Sequence, residues 1–170
     1  MIIIASALSE LSFSKLMEVY LEGNLEKAHD EHGELSEYAG LQLAEQDFYQ
    51  YLRECFFAAP GARYAVLEEN GAYRSAVRWE PFMDGMLISA LETAPSERRK
   101  GHAERLLREV LLRMDTKVYS HVSKKNTASL AVHKKCGFRI VADRARYLDG
   151  SVNPRAYTLC FENESARSEA

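Results

Sequence analysis

The spacing of apolar residues along the chain predicts short strands that alternate with amphipathic helices. Apolar runs bounded by turn residues indicate strands over 2–5, 64–68, 73–79, 86–93, 117–122, 138–143 and 156–161. Apolar residues at helical spacing indicate helices over 9–28, 43–57, 102–114 and 127–136. The polar, acidic segment 29–40 between the first two helices predicts a loop.

The order of these elements predicts one mixed sheet covered by helices. Asn70-Gly71 lies between two predicted strands and is a strong signal for a two-residue hairpin turn. The strand–helix–strand pattern over 86–122 predicts a right-handed crossover between two parallel strands. Because no linker or repeat divides the chain, we expect a single domain over 1–161 and a frayed polar tail over 162–170.

Composition narrows the class of protein. Apolar residues make up 46% and charged residues 28% of the chain, as in ordinary globular proteins, and the net charge of −3 gives no reason to expect binding to nucleic acid or membranes. No segment has the pattern of a signal peptide or the length of a membrane span. The odd set Cys55, Cys136 and Cys160 has no C-x-x-C spacing, which favours reduced, buried thiols in a cytoplasmic protein.

Charge is distributed unevenly along the chain. Segment 22–47 is acidic and segment 98–139 is basic. Within the basic segment, Arg98, Arg99 and Lys100 precede Gly101 where a strand passes into a helix. The N–H groups and positive dipole end of a helix, reached closely at a glycine, form a site for an anion such as pyrophosphate. The alternative is an ordinary helix start whose charges are only solvated.

Two sequence blocks resemble the GNAT superfamily of acyl-CoA-dependent N-acetyltransferases. Residues 91–103 read LETAPSERRKGHA and fit that family's strand, proline turn and (Gln/Arg)-x-x-Gly-x-(Gly/Ala) loop. Residues 126–138 read NTASLAVHKKCGF and are similar to the family's Asn-x-x-(Ala/Ser) helix that ends in Gly-Phe. The blocks stand in the family's order, separated by a helix and a strand, and the resemblance covers about 64–161.

The resemblance implies an α/β (α+β) fold, in which a single mixed, mostly antiparallel sheet has one parallel, splayed strand pair and helices on both faces. It also implies that acetyl-CoA, or a longer acyl-CoA, lies between strands 86–93 and 117–122 as the acyl donor. Asn126 would hold the thioester side of this cosubstrate, would cap the following helix, or would do both. The residues expected to contact the cosubstrate are Leu91, Thr93, Arg98, Arg99, Lys100, Gly101, His102, Ala103, Asn126 and Ser129.

Three residues are candidates for proton transfer. Glu92 and His121 stand where relatives place a carboxylate, and either could deprotonate the attacking amine; a positioned water is the alternative base. His133 occupies the position of the tyrosine that protonates the departing thiolate in many relatives. It would donate a proton if charged, or it packs the helix while water is the donor.

The acyl acceptor is predicted from the residues that the cosubstrate motifs leave unused. Five acids of the first two helices and their loop favour a small cationic amine: Glu26, Asp30, Glu31, Glu34 and Glu37. A peptide or protein amine, and a non-catalytic acyl-CoA sensor, are the alternatives. Tyr147 is a further candidate for the acceptor site.

Two expectations concern other ligands and partners. The His29-x-x-His32 spacing is too weak a pattern to predict a metal site, so we expect a solvated loop and no metal. The resemblance makes a homodimer possible, since the last strands pair in some relatives.

Overall fold

The computed structural model describes residues 1–163, which form a central sheet with helices on both faces. The strands are β1 Ile2–Ala5, β2 Arg63–Glu69, β3 Ala72–Phe82, β4 Gly85–Thr93, β5 Lys117–Ser123, β6 Arg139–Ala142, β7 Ala145–Arg146, β8 Val152–Asn153 and β9 Ala156–Phe161. The helices are α1 Phe13–His32, α2 Glu37–Tyr51, α3 His102–Leu111 and α4 Thr127–Lys135.

The main sheet has the strand order β1-β2-β3-β4-β5-β9-β6, and β7 pairs with β8 in a separate hairpin. Strands β4 and β5 are parallel, whereas the other neighbours in the sheet are antiparallel. This confirms the predicted mixed, mostly antiparallel sheet with one parallel pair. The hairpin predicted at Asn70-Gly71 is also present, with φ angles of 52° and 77° that suit its tight turn.

Hydrophobic residues of the sheet pack into two clusters, one on each face. On strand β2, Tyr64 and Val66 belong to the cluster under α1 and α2, and Ala65 and Leu67 belong to the cluster under α3. All four side chains are fully buried, as expected for a strand covered on both sides. We call these sides the α1/α2 face and the α3/α4 face.

The bounds predicted for the first two helices are wrong. Helix α1 begins at Phe13 rather than at residue 9 and extends through His32, so the predicted loop over 29–40 is reduced to residues 33–36. Gly33, with φ 82°, ends α1, and the Ser36 hydroxyl caps α2 by accepting from the Ala39 N–H at 3.3 Å. Polar composition indicated a loop, but caps at both ends keep the acidic segment largely helical.

The remaining differences lie at the ends of elements. A π-helical turn, Leu52–Phe56, extends α2, and α3 ends at Leu111 instead of 114. The final strands pair antiparallel as predicted, with the short β7–β8 hairpin in the loop between them. Of the predicted polar tail, residues 164–170 lie outside the described residues.

Candidate functional site

Strands β4 and β5 separate partway along their length. They pair from Gly85 and Lys117 as far as Ile88 and Ser120, and both continue beyond that point without pairing. The opening, which we call the β4–β5 gap, has a volume of about 150 Å³. It is lined by Ile88, Ser89, Ala90, Leu91, Glu92, Ser120, His121, Val122, Ser123, Asn126, Ser129 and His133. Six residues predicted from the sequence are thus brought together: Leu91, Glu92, His121, Asn126, Ser129 and His133.

A bulge in β4 marks the start of the gap. The register with β3 shifts where Ala76 pairs with Glu92 and Arg78 pairs with Ser89, which leaves one extra residue in β4. Ala90 in this bulge has φ 51°, a left-handed conformation that strains a residue with a side chain. The Tyr20 hydroxyl of α1 donates to the Ala90 carbonyl at 2.7 Å and so helps to fix the bulge.

Past the bulge, backbone groups of β4 are directed into the gap. The Glu92 carbonyl accepts from the Ser75 hydroxyl of β3 at 2.6 Å, and the Ala94 N–H donates to the Arg74 carbonyl at 3.0 Å. Because backbone groups of an extended strand alternate in direction, those of Leu91 and Thr93 point away from β3 and towards β5. They can therefore pair with an extended ligand as an added strand would.

The glycine loop presents free amides next to the gap. Gly101 has φ 82° and precedes α3, whose first backbone hydrogen bond runs from the Arg105 N–H to the Gly101 carbonyl at 3.0 Å. Within residues 1–163, no acceptor is found for the N–H groups of 99–104. A Cβ added at Gly101 would meet no protein atom within 4 Å. This is an open, amide-lined surface of the kind that binds phosphate groups.

The basic side chains of this loop are already partly paired. Arg98 donates to Glu22 of α1 at 2.7 Å, and Lys100 and His102 both lie near the Glu97 carboxylate, at 3.0 and 3.3 Å. Lys100, with Arg74 and His102, holds the pKa of Glu97 below its usual value. Arg99, with φ 65°, has no ion-pair partner among residues 1–163, so the loop offers an anion its backbone amides and one uncompensated guanidinium.

The first turn of α4 borders the other side of the gap. The Asn126 side-chain oxygen accepts from the Ser129 N–H at 3.0 Å, so Asn126 caps the helix. Its amide NH₂ makes no hydrogen bond within the described chain and is free to contact a ligand. Both functions considered for Asn126 are therefore compatible with the geometry.

His133 is buried, and both of its ring nitrogens are bonded. Nδ1 lies 2.8 Å from the Ser129 carbonyl, which can only accept, so the ring hydrogen is on Nδ1. Nε2 must then accept from the Ser120 hydroxyl at 2.9 Å. Burial lowers the pKa of His133, which favours this neutral form. The sequence did not identify Ser120, whose contact depends on the packing of α4 against β5.

Glu92 and His121 both lie on the α1/α2 face of the gap. Ser120 and Val122 face α4 and its cluster, so His121 between them faces the opposite side. Glu92 likewise alternates with Leu91, which packs in the α3/α4 cluster. Partial removal from water raises the pKa of the exposed Glu92 carboxyl, an effect opposed by Arg98.

His121 has no hydrogen-bond partner for either ring nitrogen within residues 1–163, although both atoms are buried. Its ring lies 5.6 Å from that of Phe82 and 5.0 Å from that of Tyr147. Burial lowers the pKa of His121, so the ring is neutral at neutral pH and can accept a proton. An unsatisfied buried nitrogen costs about 1–3 kcal/mol, and a polar group entering the gap would relieve that cost.

A second cavity, of about 260 Å³, lies on the α1/α2 face beside the gap, and Ala90 borders both. We call it the α1/α2 cavity. The five acids expected to line the acceptor site are exposed, and none of them borders this cavity or the gap. They project from the outside of α1, the following turn and the start of α2.

The cysteines, the acidic surface around His32 and the helix lengths were also covered by predictions from the sequence. Cys136 and Cys160 are buried as predicted, but the prediction is wrong for Cys55, which is exposed; none of the three forms a disulfide. Ligand atoms of Glu31, His32 and Asp47 lie within 4.8 Å of one another at the surface, where His32 pairs with Asp47 at 3.0 Å. Within residues 1–163, no helix combines the length and apolar character needed to cross a membrane.

Comparison with known proteins agrees with this geometry. Residues 25–138 match the model of the acetyltransferase (GNAT) family. A search of curated proteins finds no match. Among solved structures, PaiA N-acetyltransferase from Thermoplasma acidophilum in complex with coenzyme A aligns with a TM-score of 0.65 at 12% identity, over 96% of this chain and 99% of that chain.

Two further structures have the same fold. The ribosomal-protein-S18-alanine N-acetyltransferase from Escherichia coli aligns with a TM-score of 0.56 at 16% identity, over 96% of this chain and 97% of that chain. A spermidine N-acetyltransferase chimera from Vibrio cholerae and hSSAT aligns with a TM-score of 0.55 at 16% identity, over 99% of both chains. These neighbours act on different amines. The family match and the splayed strands together establish that the chain belongs to the GNAT acetyltransferase family and is an acyltransferase.

Proposed function

We infer that the protein transfers an acetyl group from acetyl-CoA directly to the primary amine of a small molecule. The observation that carries this inference is the β4–β5 gap, which has free backbone amides at one end and the unpaired, neutral ring of His121 on its wall. The gap therefore has groups suited to an anionic, extended donor and a group suited to accepting a proton. One site provides both requirements of acetyl transfer.

In this proposal the donor is bound mainly by backbone groups. The amides of 99–104 hold the pyrophosphate, helped by the dipole of α3. Leu91 and Thr93 pair with the pantetheine arm through their backbones. Asn126 uses its free NH₂ near the thioester, and Ser129 borders the same region.

The reaction forms a bond between the amine nitrogen and the acetyl carbon and breaks the bond from that carbon to sulfur. A protonated amine loses one proton to become a nucleophile and a second after attack, and CoA leaves as thiolate and takes up one proton. We propose His121 as the base, because its neutral ring faces the gap with both nitrogens unsatisfied. Glu92, on the same face with a raised pKa, is the competing candidate.

We propose that His133 is a positioning residue and that water protonates the thiolate. The single hydrogen of the neutral ring is held by the Ser129 carbonyl, and Nε2 is occupied by Ser120. Donation from His133 would require breaking this arrangement in a buried position. Its bonds instead fix the first turn of α4, which carries Asn126, against β5.

The acceptor class is not resolved by the family. The exposed positions of the five acids give no support to the cationic amine predicted from the sequence. A protein amine is the alternative suggested by the S18-alanine enzyme, whose fold this chain shares. The limited size of the α1/α2 cavity, about 260 Å³, favours a small molecule.

The test is thiol release from acetyl-CoA with a panel of amines, amino acids, polyamines and peptides, with acetylated products identified by mass spectrometry. We expect turnover with at least one small primary amine. Turnover confined to peptides would identify a protein acetyltransferase. Binding of acetyl-CoA without transfer to any amine would overturn the proposal and identify an acyl-CoA-binding module.

A homodimer through the last strands also remains a proposal. Strand β6 lies at the edge of the sheet, and its Ile140 and Val141 side chains are 55% and 56% exposed. Sedimentation equilibrium of the full chain would measure the oligomeric state. Charged substitutions at both positions would dissociate a dimer formed there.

A further inference from the structure

The α1/α2 cavity contains a guanidinium without a carboxylate partner. Arg78 of β3 is half-buried there, and no carboxylate within residues 1–163 lies within ion-pair distance of it. Its Nε donates to the Ser89 hydroxyl at 3.2 Å, and the guanidinium also interacts with the buried Tyr64 hydroxyl, so its polar neighbours are neutral hydroxyls. A charge removed from water without a counter-ion is costly, so this group is suited to an anion supplied by a ligand.

Packing holds the Arg78 guanidinium in place. Its central carbon lies 4.8 Å from the Tyr51 ring centroid and 5.3 Å from that of Phe56. Stacking on rings orients the planar fork and reduces the entropy lost when it binds a ligand. A fixed guanidinium can bind both oxygens of a carboxylate at once.

Neighbouring groups do not neutralise this charge. Tyr64 is buried, and its burial raises the pKa of the hydroxyl to about 12, so it is uncharged at neutral pH. Asp47 is the one carboxylate that borders the cavity, and it is paired with His32 at 3.0 Å. Lys27 adds a second positive charge, with Nζ 5.9 Å from the Tyr51 ring centroid and 3.7 Å from the Glu31 carboxylate. Arg78 and Lys27 against Asp47 give the side chains that line the cavity a net charge of +1.

The cationic wall adjoins the reaction site. Ser89, which accepts from Arg78, borders the β4–β5 gap, and Ala90 borders both the gap and the cavity. An acceptor whose anionic group is bound at Arg78 has the rest of its structure beside the gap. A polyamine in the same place would be repelled by two like charges.

We propose that the acceptor carries a carboxylate close to its primary amine, as an amino acid does, and that Arg78 binds that carboxylate. This proposal rests on the acetyltransferase function inferred above. Arg78 thus determines acceptor specificity, while His121 or Glu92 accepts the proton of the attacking amine. The positive charge of this cavity favours an acceptor with an anionic group, whereas the acidic helices had predicted a cationic amine.

The experiment compares each amino acid with the amine formed by its decarboxylation, for example tyrosine with tyramine, phenylalanine with phenethylamine and lysine with cadaverine. With the wild-type protein we expect kcat/KM to be about 10–100-fold higher for the carboxylate-bearing member of a productive pair, as for a lost hydrogen bond to a charged group. Equal or better turnover of the decarboxylated members would overturn the inference while leaving the acetyltransferase intact. Absence of turnover with every amine would overturn the proposed function itself.

Substitutions at Arg78 test whether this residue is the source of the preference for carboxylate-bearing acceptors. Arg78→Gln should raise KM for the amino acid by about 10–100-fold and remove the difference within each pair, with the KM for acetyl-CoA unchanged. Arg78→Lys keeps the charge but loses the fork, and should fall between the two. Arg113→Gln, an equal change of charge in the exposed turn after α3, is the matched control and should keep the full preference. Preference retained in a folded Arg78→Gln protein would assign the carboxylate to another residue.

Two thermal-unfolding measurements accompany the kinetics: one checks that the Arg78→Gln protein is folded, and the other tests the site in the wild-type protein. Arg78→Gln removes packing on Tyr51 and Phe56, so its thermal midpoint must be measured beside its kinetics. Independently, amino acids should raise the thermal midpoint of the wild-type protein, and their decarboxylated partners at equal concentration should not. Equal shifts from both members of each pair would contradict a carboxylate site.

Discussion

The β4–β5 gap offers a ligand different kinds of groups at its α3 end, the proposed donor end, and on its α1/α2 face, the proposed acceptor end. At the α3 end, the groups available are backbone amides of 99–104 and backbone groups of Leu91 and Thr93. On the α1/α2 face, they are side chains: His121, Glu92 and the guanidinium of Arg78. A site made of backbone amides tolerates many different side chains around one essential glycine. A site made of side chains can change its ligand specificity when a single residue is substituted.

This difference explains how one fold can keep a common acyl donor and vary its acceptor. The donor end is formed by residues close together in the chain, with Gly101 at the start of α3 as its essential feature. The acceptor end gathers residues from α1, α2, β3, β4 and β5, which are far apart in sequence. Substitutions at the two ends should therefore alter different kinetic parameters.

The largest effect is expected at the acceptor end, from His121→Gln. Loss of a general base lowers kcat by about 10²–10⁴-fold, while acetyl-CoA binding is unchanged. The matched control is His29→Gln, which alters an exposed histidine of α1. A larger loss in Glu92→Gln than in His121→Gln would transfer the role of base to the carboxylate.

The pH dependence distinguishes the two candidate bases further. Burial lowers the pKa of His121 below 6.5, so the ring is in its active, neutral form above that pH and becomes protonated as the pH falls through its lowered pKa. We expect kcat/KM to fall on this acidic limb in the wild type and in Glu92→Gln. In His121→Gln the residual activity should lack this limb; a limb that persists there and vanishes in Glu92→Gln would contradict the assignment.

The next effect tests the donor end. Gly101→Val places a β-branched side chain in the open space beside the free amides and should raise KM for acetyl-CoA by on the order of 10–100-fold, since charge-assisted bonds to phosphate are lost. Gly71→Val is a close control, because Gly71 also has positive φ and open space around its Cβ position. Both variants bear similar backbone strain, so an equal rise in KM in both would show that strain, and not the amide site, is responsible.

The sequence was sufficient to predict the order of the elements and the two local motifs from which the proposed donor end is built. The glycine loop and the Asn126 helix are local motifs, and residues 86–122 contain the complete parallel crossover. Periodicity also identified every strand of the main sheet, because burial on one or both faces determines the pattern of apolar residues. Local chemistry at caps then accounts for the misplaced bounds of α1 and α2.

The acceptor end could not be predicted in the same way. Net charge along a segment indicates acidity, but it does not reveal which helix face packs on the sheet, and the acids of α1 and α2 project outward. The bonds from His133 to Ser120 and from Arg78 to Ser89 each join residues on different elements, and only their packing makes them neighbours. The bulge at Ala90 also changes which side chains of β4 face the cavity.

A smaller effect is expected from His133, on the α3/α4 face, and it concerns stability. His133→Leu leaves the Ser120 hydroxyl unpaired and should lower the free energy of unfolding by about 1–3 kcal/mol in urea titrations. The double variant His133→Leu with Ser120→Ala should recover part of that loss. If His133 protonates the thiolate instead, His133→Leu will lower kcat strongly even where the variant is fully folded.

The same histidine is expected to make the stability of the fold depend on pH. Because the pKa of His133 is lowered in the folded protein, the unfolded chain binds a proton near its ordinary pKa of 6.5 while the folded ring stays neutral. Stability is therefore full above 6.5 and is lost as the pH falls through the lowered pKa. The slope should be smaller in His133→Leu, with His121 supplying the remainder; an unchanged slope would contradict a neutral, buried His133.

The smallest effect separates the two contacts of Asn126, which lies where the donor end meets the reaction site. Asn126→Ala removes the cap on the Ser129 N–H and should cost about 1 kcal/mol of stability. Asn126→Asp keeps an oxygen that can accept from that N–H, so it should preserve the cap while removing the NH₂ donors. If the NH₂ contacts the donor, both variants weaken acetyl-CoA binding although only the alanine variant loses stability. Weakened binding in the alanine variant alone would show that Asn126 acts through the helix it caps, and the contact proposed near the thioester would be withdrawn.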